Sequence, residues 1–109
     1  MFLNTPNLVH IWASGLTGLY GDIASFANTD MRDMSISVTS ISGDINSLTS
    51  LSKLHTCYLV QATNLYGDIS VFANMPDMLH LRVDDIPSVT GNIASLASLT
   101  KLLDLYVNT

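Results

Sequence analysis

The tripeptide Gly-Asp-Ile recurs along this chain in one register, and that recurrence limits the fold more than any other feature. It stands at Gly21-Asp22-Ile23, Gly43-Asp44-Ile45 and Gly67-Asp68-Ile69, and again as Gly91-Asn92-Ile93, at spacings of 22, 24 and 24 residues. Two positions before each Gly sits an aliphatic residue: Leu19, Ile41, Leu65 and Val89. Self-similarity at such a period marks an array of stacked structural units, each unable to bury its own apolar side.

The apolar positions inside each period define the unit. After the turn they step by three: Ile45, Leu48, Leu51, Leu54 and Cys57, then Ile69, Phe72, Met75, Met78 and Leu81, then Ile93, Leu96, Leu99, Leu102 and Leu105. The step then drops to two, at Leu59, Val83 and Val107. A step of three keeps side chains on one side of a 3₁₀ segment, and a step of two keeps them on one face of a strand. Each repeat therefore reads as a short helical arm plus one short strand. The first repeat is one residue short in its middle (Ile23, Phe26, Met31, Met34, Ile36), and a partial repeat leads with Phe2, Leu8, Ile11 and Ala13. Composition agrees. All nine acids are Asp, Ser and Thr number 23, and sixteen Leu occur without one Glu. Asp, Ser and Thr favour turns and caps over helix interiors, so long solvated helices are excluded.

Local chemistry follows. Each turn Gly is expected at positive φ, and Asp22, Asp44, Asp68 and Asn92 are expected to cap the arms. A calcium ladder on those three Asp is disfavoured, because Asn92 keeps the capping oxygen and loses the charge. Leu48, Leu51, Leu54, Leu59, Ile69, Leu81 and Leu96 are the expected core.

The Leu-x-Gly-Asp-Ile turn, with runs such as Leu102-x-x-Leu105-x-Val107, resembles the leucine-rich repeat family. It is similar to the L-x-G-x-I turn of plant-type repeats, and looks closest to bacterial proteins with serial Gly-Asp-Ile turns. The resemblance implies an α/β solenoid, with short parallel strands on a concave face and short helical or 3₁₀ arms on the convex side. Residues 1–109 are expected to form one array of about four and a half repeats without capping domains. The family's usual Asn between strand and turn is replaced by Thr17, Thr39, Thr63 and Pro87, with a Thr hydroxyl expected to substitute in part. A β-helix with three strands per coil is the competing fold, and the steps of three argue against it.

The resemblance also implies binding rather than catalysis, usually of protein partners on the concave sheet. Five strands are expected near His10–Ser14, Asp33–Ser37, Thr56–Val60, His80–Asp84 and Asp104–Asn108. Their outward columns read Trp12, Ser35, Tyr58, Arg82, Tyr106 at the centre, His10, Asp33, Thr56, His80, Asp104 leading, and Ser14, Ser37, Val60, Asp84, Asn108 trailing. In the third strand Tyr58 and Val60 compete with Cys57 and Leu59 for the inward face. At ~4.8 Å per strand the sheet is about 20 Å wide, room for a peptide or a glycan edge. The candidate contacts are Tyr58, Arg82 and Tyr106, where Arg82 can stack on both rings, with His80 and Asp84 beside them and Trp12 in the same column. A cross-strand ladder that merely stabilises the sheet is the competing reading, as is a Trp12 ring covered by the leading partial repeat.

Other classes are set aside. With four Lys and Arg against nine acids the formal charge is -5, so nucleic acid and anionic membrane surfaces are not expected partners. No apolar run spans a bilayer, and the start, Met1-Phe-Leu-Asn-Thr-Pro, lacks a signal-peptide pattern. A surface or extracellular setting would belong to a longer protein. His10 and His80 stand about 14 Å apart by strand spacing, too far to share a metal, although His10 with Asp33 and His80 with Asp104 can pair across strands. No phosphate loop, H-E-x-x-H or C-x-x-C occurs. Cys57 sits in a Leu column as a buried apolar group. Neither cofactor nor catalysis is expected. The alternative function is a spacer or assembly subunit of a surface or virion protein, contacting copies through uncapped ends. Of these the C-terminal layer of Leu99, Leu102, Leu105 and Val107 is expected to associate first, back to back or edge to edge, ahead of Phe2, Leu3 and Leu8.

Overall fold

The structure is a computed structural model, and it describes residues 3–107. The step of three becomes 3₁₀ helix in every arm: Ile23–Phe26, Ile45–Ser50, Ile69–Asn74 and Ile93–Leu96. Three residues per turn put every third side chain on one line, which is why Ile23 and Phe26, Ile45 and Leu48, and Ile69 and Phe72 are buried together. The step of two becomes a parallel sheet of five strands: β1 His10–Trp12, β3 Asp33–Ser35, β5 Thr56–Tyr58, β7 His80–Arg82 and β9 Asp104–Tyr106. These strands are shorter than the five residues expected. Single ladder bonds prolong the pairing, such as Ala13 N–H to Ser35 C=O at 2.9 Å and Gln61 N–H to Asp84 C=O at 3.1 Å.

One correction concerns the coil itself. Each repeat carries two strands, not one. A second parallel sheet is built from β2 Tyr20–Asp22, β4 Ser40–Asp44, β6 Leu65–Asp68 and β8 Val89–Thr90. The turns themselves pair here. Repeats stacked in register bring their extended Gly-Asp segments side by side, and the backbone groups satisfy one another.

Each cap is as the turn demands. Asp22 Oδ1 accepts from Ala24 N–H at 2.8 Å, Asp44 from Asn46 at 2.9 Å, Asp68 from Ser70 at 2.8 Å, and Asn92 from Ala94 at 2.9 Å. The preceding glycines have φ between 114° and 137°, a region closed to most L-residues. Of the Thr positions, Thr39 is buried and bridges its turn, donating to Ile36 C=O at 2.7 Å and accepting from Ile41 N–H at 3.4 Å. Thr17, Thr63 and Pro87 lie exposed.

The core runs through the coil between sheets and arms. Leu48, Leu54, Leu59 and Leu81 have no exposure, and Leu51, Leu96 and Ile69 are buried beside them. Cys57 and Leu59 point inward, which leaves Tyr58 and Val60 outward. At the C-terminal end Val107 is exposed and Leu102 and Leu105 are partly buried, whereas Leu99, expected bare, is buried because its arm turns it back onto the preceding layer. At the other end Leu3 is exposed and Leu8 packs against the core. The expectations for Phe2 and Asn108 lie outside the described residues.

Candidate functional site

Strand register fixes the columns of the five-stranded sheet. The central column pairs Trp12 with Ser35, Ser35 with Tyr58, Tyr58 with Arg82 and Arg82 with Tyr106. The leading column pairs His10 with Asp33, Asp33 with Thr56, Thr56 with His80 and His80 with Asp104. Parallel pairing without slippage follows from the inward residues Ile11, Met34, Cys57, Leu81 and Leu105, which the core locks in one plane.

Not every outward residue reaches solvent. Ser35, Ser37, Thr56 and Asp84 are buried, contrary to expectation. The first three are short, and stand between taller neighbours such as Trp12 and Tyr58. Their hydroxyls serve the sheet: Ser35 bonds the Ser14 hydroxyl, and Ser37 Oγ accepts from Val60 N–H at 3.0 Å.

Asp84 is the most consequential of these. Its side chain keeps 7% of its exposure and its Oδ2 accepts from Arg82 Nη2 at 2.9 Å. It therefore works beneath the surface, aiming Arg82, rather than as an open contact. That hydrogen bond is also the main cause that raises the Arg82 pKa, so the guanidinium stays charged. Arg82 Nε and Asp84 Oδ1 are buried without a hydrogen-bond partner among the described residues. From above, the Arg82 guanidinium carbon lies 4.5 Å from the centre of the Tyr106 ring. The two-sided stack is not formed. Arg82 covers Tyr106, and Tyr58 stays half-buried beside it.

Trp12 is 64% exposed and Tyr106 47% exposed, so the leading partial repeat leaves the Trp12 ring open. His10 Nδ1 lies 2.7 Å from Asp33 Oδ2, and His80 Nδ1 lies 2.6 Å from Asp104 Oδ2, as the columns predict. His80 thus faces Asp104 rather than the Arg82 group. Two exposed aromatics escaped the sequence reading: Tyr20, at 84%, and Tyr66, at 51%, both on the second sheet. Each directly precedes a turn glycine, and that repeated position was the available signal.

Among the described residues no group of three or more His, Cys, Asp or Glu can hold a metal, and no helix is long and apolar enough to cross a membrane. Burial pushes the Cys57 thiol up to about 12, which makes it unreactive.

Two parallel sheets joined by 3₁₀ arms, one coil per repeat, define an α/β repeat solenoid of the leucine-rich-repeat kind. Internalin C2 from Listeria monocytogenes, a leucine-rich repeat protein, has a similar solved structure, with a TM-score of 0.51 and 24% identity over 80% of this chain. The match covers 35% of internalin C2, so this chain spans about a third of that protein's length. No family model and no curated protein matches the sequence.

Proposed function

We propose that the chain is a non-catalytic binding module that takes a protein or peptide partner on its five-stranded sheet, with Trp12, Tyr58, Arg82 and Tyr106 as contacts. The observation that supports this most is the central column. It presents an exposed Trp, an exposed Tyr and an Arg held between a buried carboxylate and a ring. Trp, Tyr and Arg are the side chains that dominate interface energies, and a preoriented Arg loses less conformational freedom on binding. Asp84 acts as a positioning residue and His80 lies on the flank, tied to Asp104.

The test needs variants that leave the fold alone. Arg82→Ala removes the partner of a buried carboxylate and so costs stability as well as contact. Trp12→Ser and Tyr106→Ser act on exposed rings. Peptides selected on the unaltered protein from a displayed random library are expected to lose binding to the Trp12→Ser/Tyr106→Ser variant, with circular dichroism unchanged. Undiminished binding to that variant would overturn the reading.

A further inference from the structure

The row of residues that follows the trailing column of the five-stranded sheet has an unusual backbone. It consists of Gly15, Val38, Gln61 and Asp85, one per repeat, with φ of 84°, 56°, 57° and 60°. The first three donate their backbone N–H groups to the next repeat: Gly15 to Ser37 C=O at 2.9 Å, Val38 to Val60 C=O at 2.8 Å and Gln61 to Asp84 C=O at 3.1 Å. Strand alternation would turn this row into the core. The positive φ turns it outward instead, and the next residues, Thr39, Ala62 and Ile86, take the inward place and are buried. Val38 is 37% exposed, Gln61 is exposed and Asp85 is half-buried.

Gly15 shows that glycine serves this backbone, and glycine carries no strain there. Asp is tolerated in the left-handed region, but Gln is not favoured and a β-branched Val least of all. Two interior repeats therefore hold a side chain at the rim against its own backbone preference. Strain of this kind clusters where side chains meet ligands. Within the fold these side chains do little: Gln61 Nε2 donates to Asp85 Oδ2 at a long 3.5 Å. The other acids of this sheet are paired, Asp33 with His10, Asp104 with His80 and Asp84 with Arg82. Among the described residues Asp85 has no such partner. The rim thus passes from an apolar residue through an amide to an unneutralised carboxylate.

We propose that Val38, Gln61 and Asp85 form a specificity rim for a peptide that crosses the strands, with an apolar side chain over Val38 and a Lys or Arg beside Asp85. Two strand spacings separate Val38 from Asp85, about 10 Å, which roughly three residues of extended peptide span. Gln61 lies between them, exposed, with a donor and an acceptor for a peptide backbone. The carboxylate of Asp85 is the charge on this sheet left for a partner to neutralise. It favours a cationic residue and rejects an acidic one by like-charge repulsion. The inference rests on the proposed use of this sheet. It adds the chemistry of the segment and its polarity, apolar beside β3 and basic beside β7.

Peptides selected on the unaltered protein from a displayed random library are expected to carry a Lys or Arg about three residues from an apolar one. Asp85→Asn keeps the shape, and Asn tolerates the positive φ. It is expected to weaken those peptides about three- to fivefold at low ionic strength and less at high. Val38→Gly is expected to weaken them about fivefold while the melting temperature rises, a combination that a purely structural role for Val38 would not give. Selected peptides rich in Asp or Glu would overturn the rim. So would peptides that bind both variants as tightly as the unaltered protein. If those same peptides still lose binding to Trp12→Ser/Tyr106→Ser, only the rim fails and the sheet keeps its role. Weakening by the rim variants with none by Trp12→Ser/Tyr106→Ser would support the rim and overturn the central column.

Discussion

Asp68 Oδ1 lies 2.6 Å from the place a β-carbon on Gly91 would take, while the same oxygen caps the Ser70 N–H at 2.8 Å. One carboxylate oxygen thus fixes its own arm and excludes a side chain from the next repeat. All four turn glycines share the positive-φ strain that any other residue would meet, but Gly21 lacks the carboxylate. Gly21→Ala should therefore cost the backbone strain alone, on the order of 1 kcal/mol. Gly43→Ala should cost distinctly more, because Asp22 must move. Urea midpoints of the two variants check this, and equal losses would remove the second role of the carboxylate.

Leu81→Ala should cost about 2–5 kcal/mol. Leu81 has no exposure and lies on β7, which pairs on both sides. Leu103, at 71% exposure, is its control: Leu103→Ala should stay within about 0.5 kcal/mol. Chemical denaturation reads both, and a small effect at Leu81 would contradict the inward register of β7.

Val38 should gain from replacement. It sits at φ 56°, in the ladder position that Gly15, Gln61 and Asp85 occupy in the other repeats, all with positive φ. A β-branched side chain is the worst suited to that region, at a cost of about 1–2 kcal/mol. Val38 is 37% exposed, so little packing is lost. Val38→Gly should raise the melting temperature. A fall would mean that its remaining apolar contacts outweigh the strain.

Cys57 gives a pH prediction. Its thiol pKa rises from 9.0 in the unfolded chain to about 12 in the fold, because burial penalises the thiolate. The unfolded chain therefore loses this proton first. The contribution to stability is complete below the ordinary thiol pKa and declines as pH rises from there toward the folded value. At pH 8.5 the native thiol should resist iodoacetamide and react once the chain unfolds. Native-state alkylation at the rate of a free thiol would show that β5 has its other face inward.

The turns and steps of three were enough to read the solenoid, its columns and its core, because each signal repeats in several coils and neighbouring coils constrain one another. The second sheet was hidden for a physical reason. Its strands are two to five residues long and coincide with the turn motif, so no alternation could develop, and their pairing comes from stacking rather than from strand propensity. Asp84 shows the limit for the candidate site. Its column was legible, but whether it lay open or beneath Arg82 depended on side-chain directions within one strand. The exposure of Trp12 likewise turned on how the leading segment packs.

The seating of each cap against the next glycine also governs how such a chain can change length. Removing residues 44–67 would join Gly43 to Asp68 and restore Gly-Asp-Ile at the splice. Asp22 would still meet Gly43, and Asp68 would still meet Gly91. A deletion that is not a whole repeat would leave one carboxylate facing a residue with a side chain. Growth and shrinkage by whole coils is thus the change that the stacking tolerates, and the reach of the molecule can be reset without redesigning a single contact.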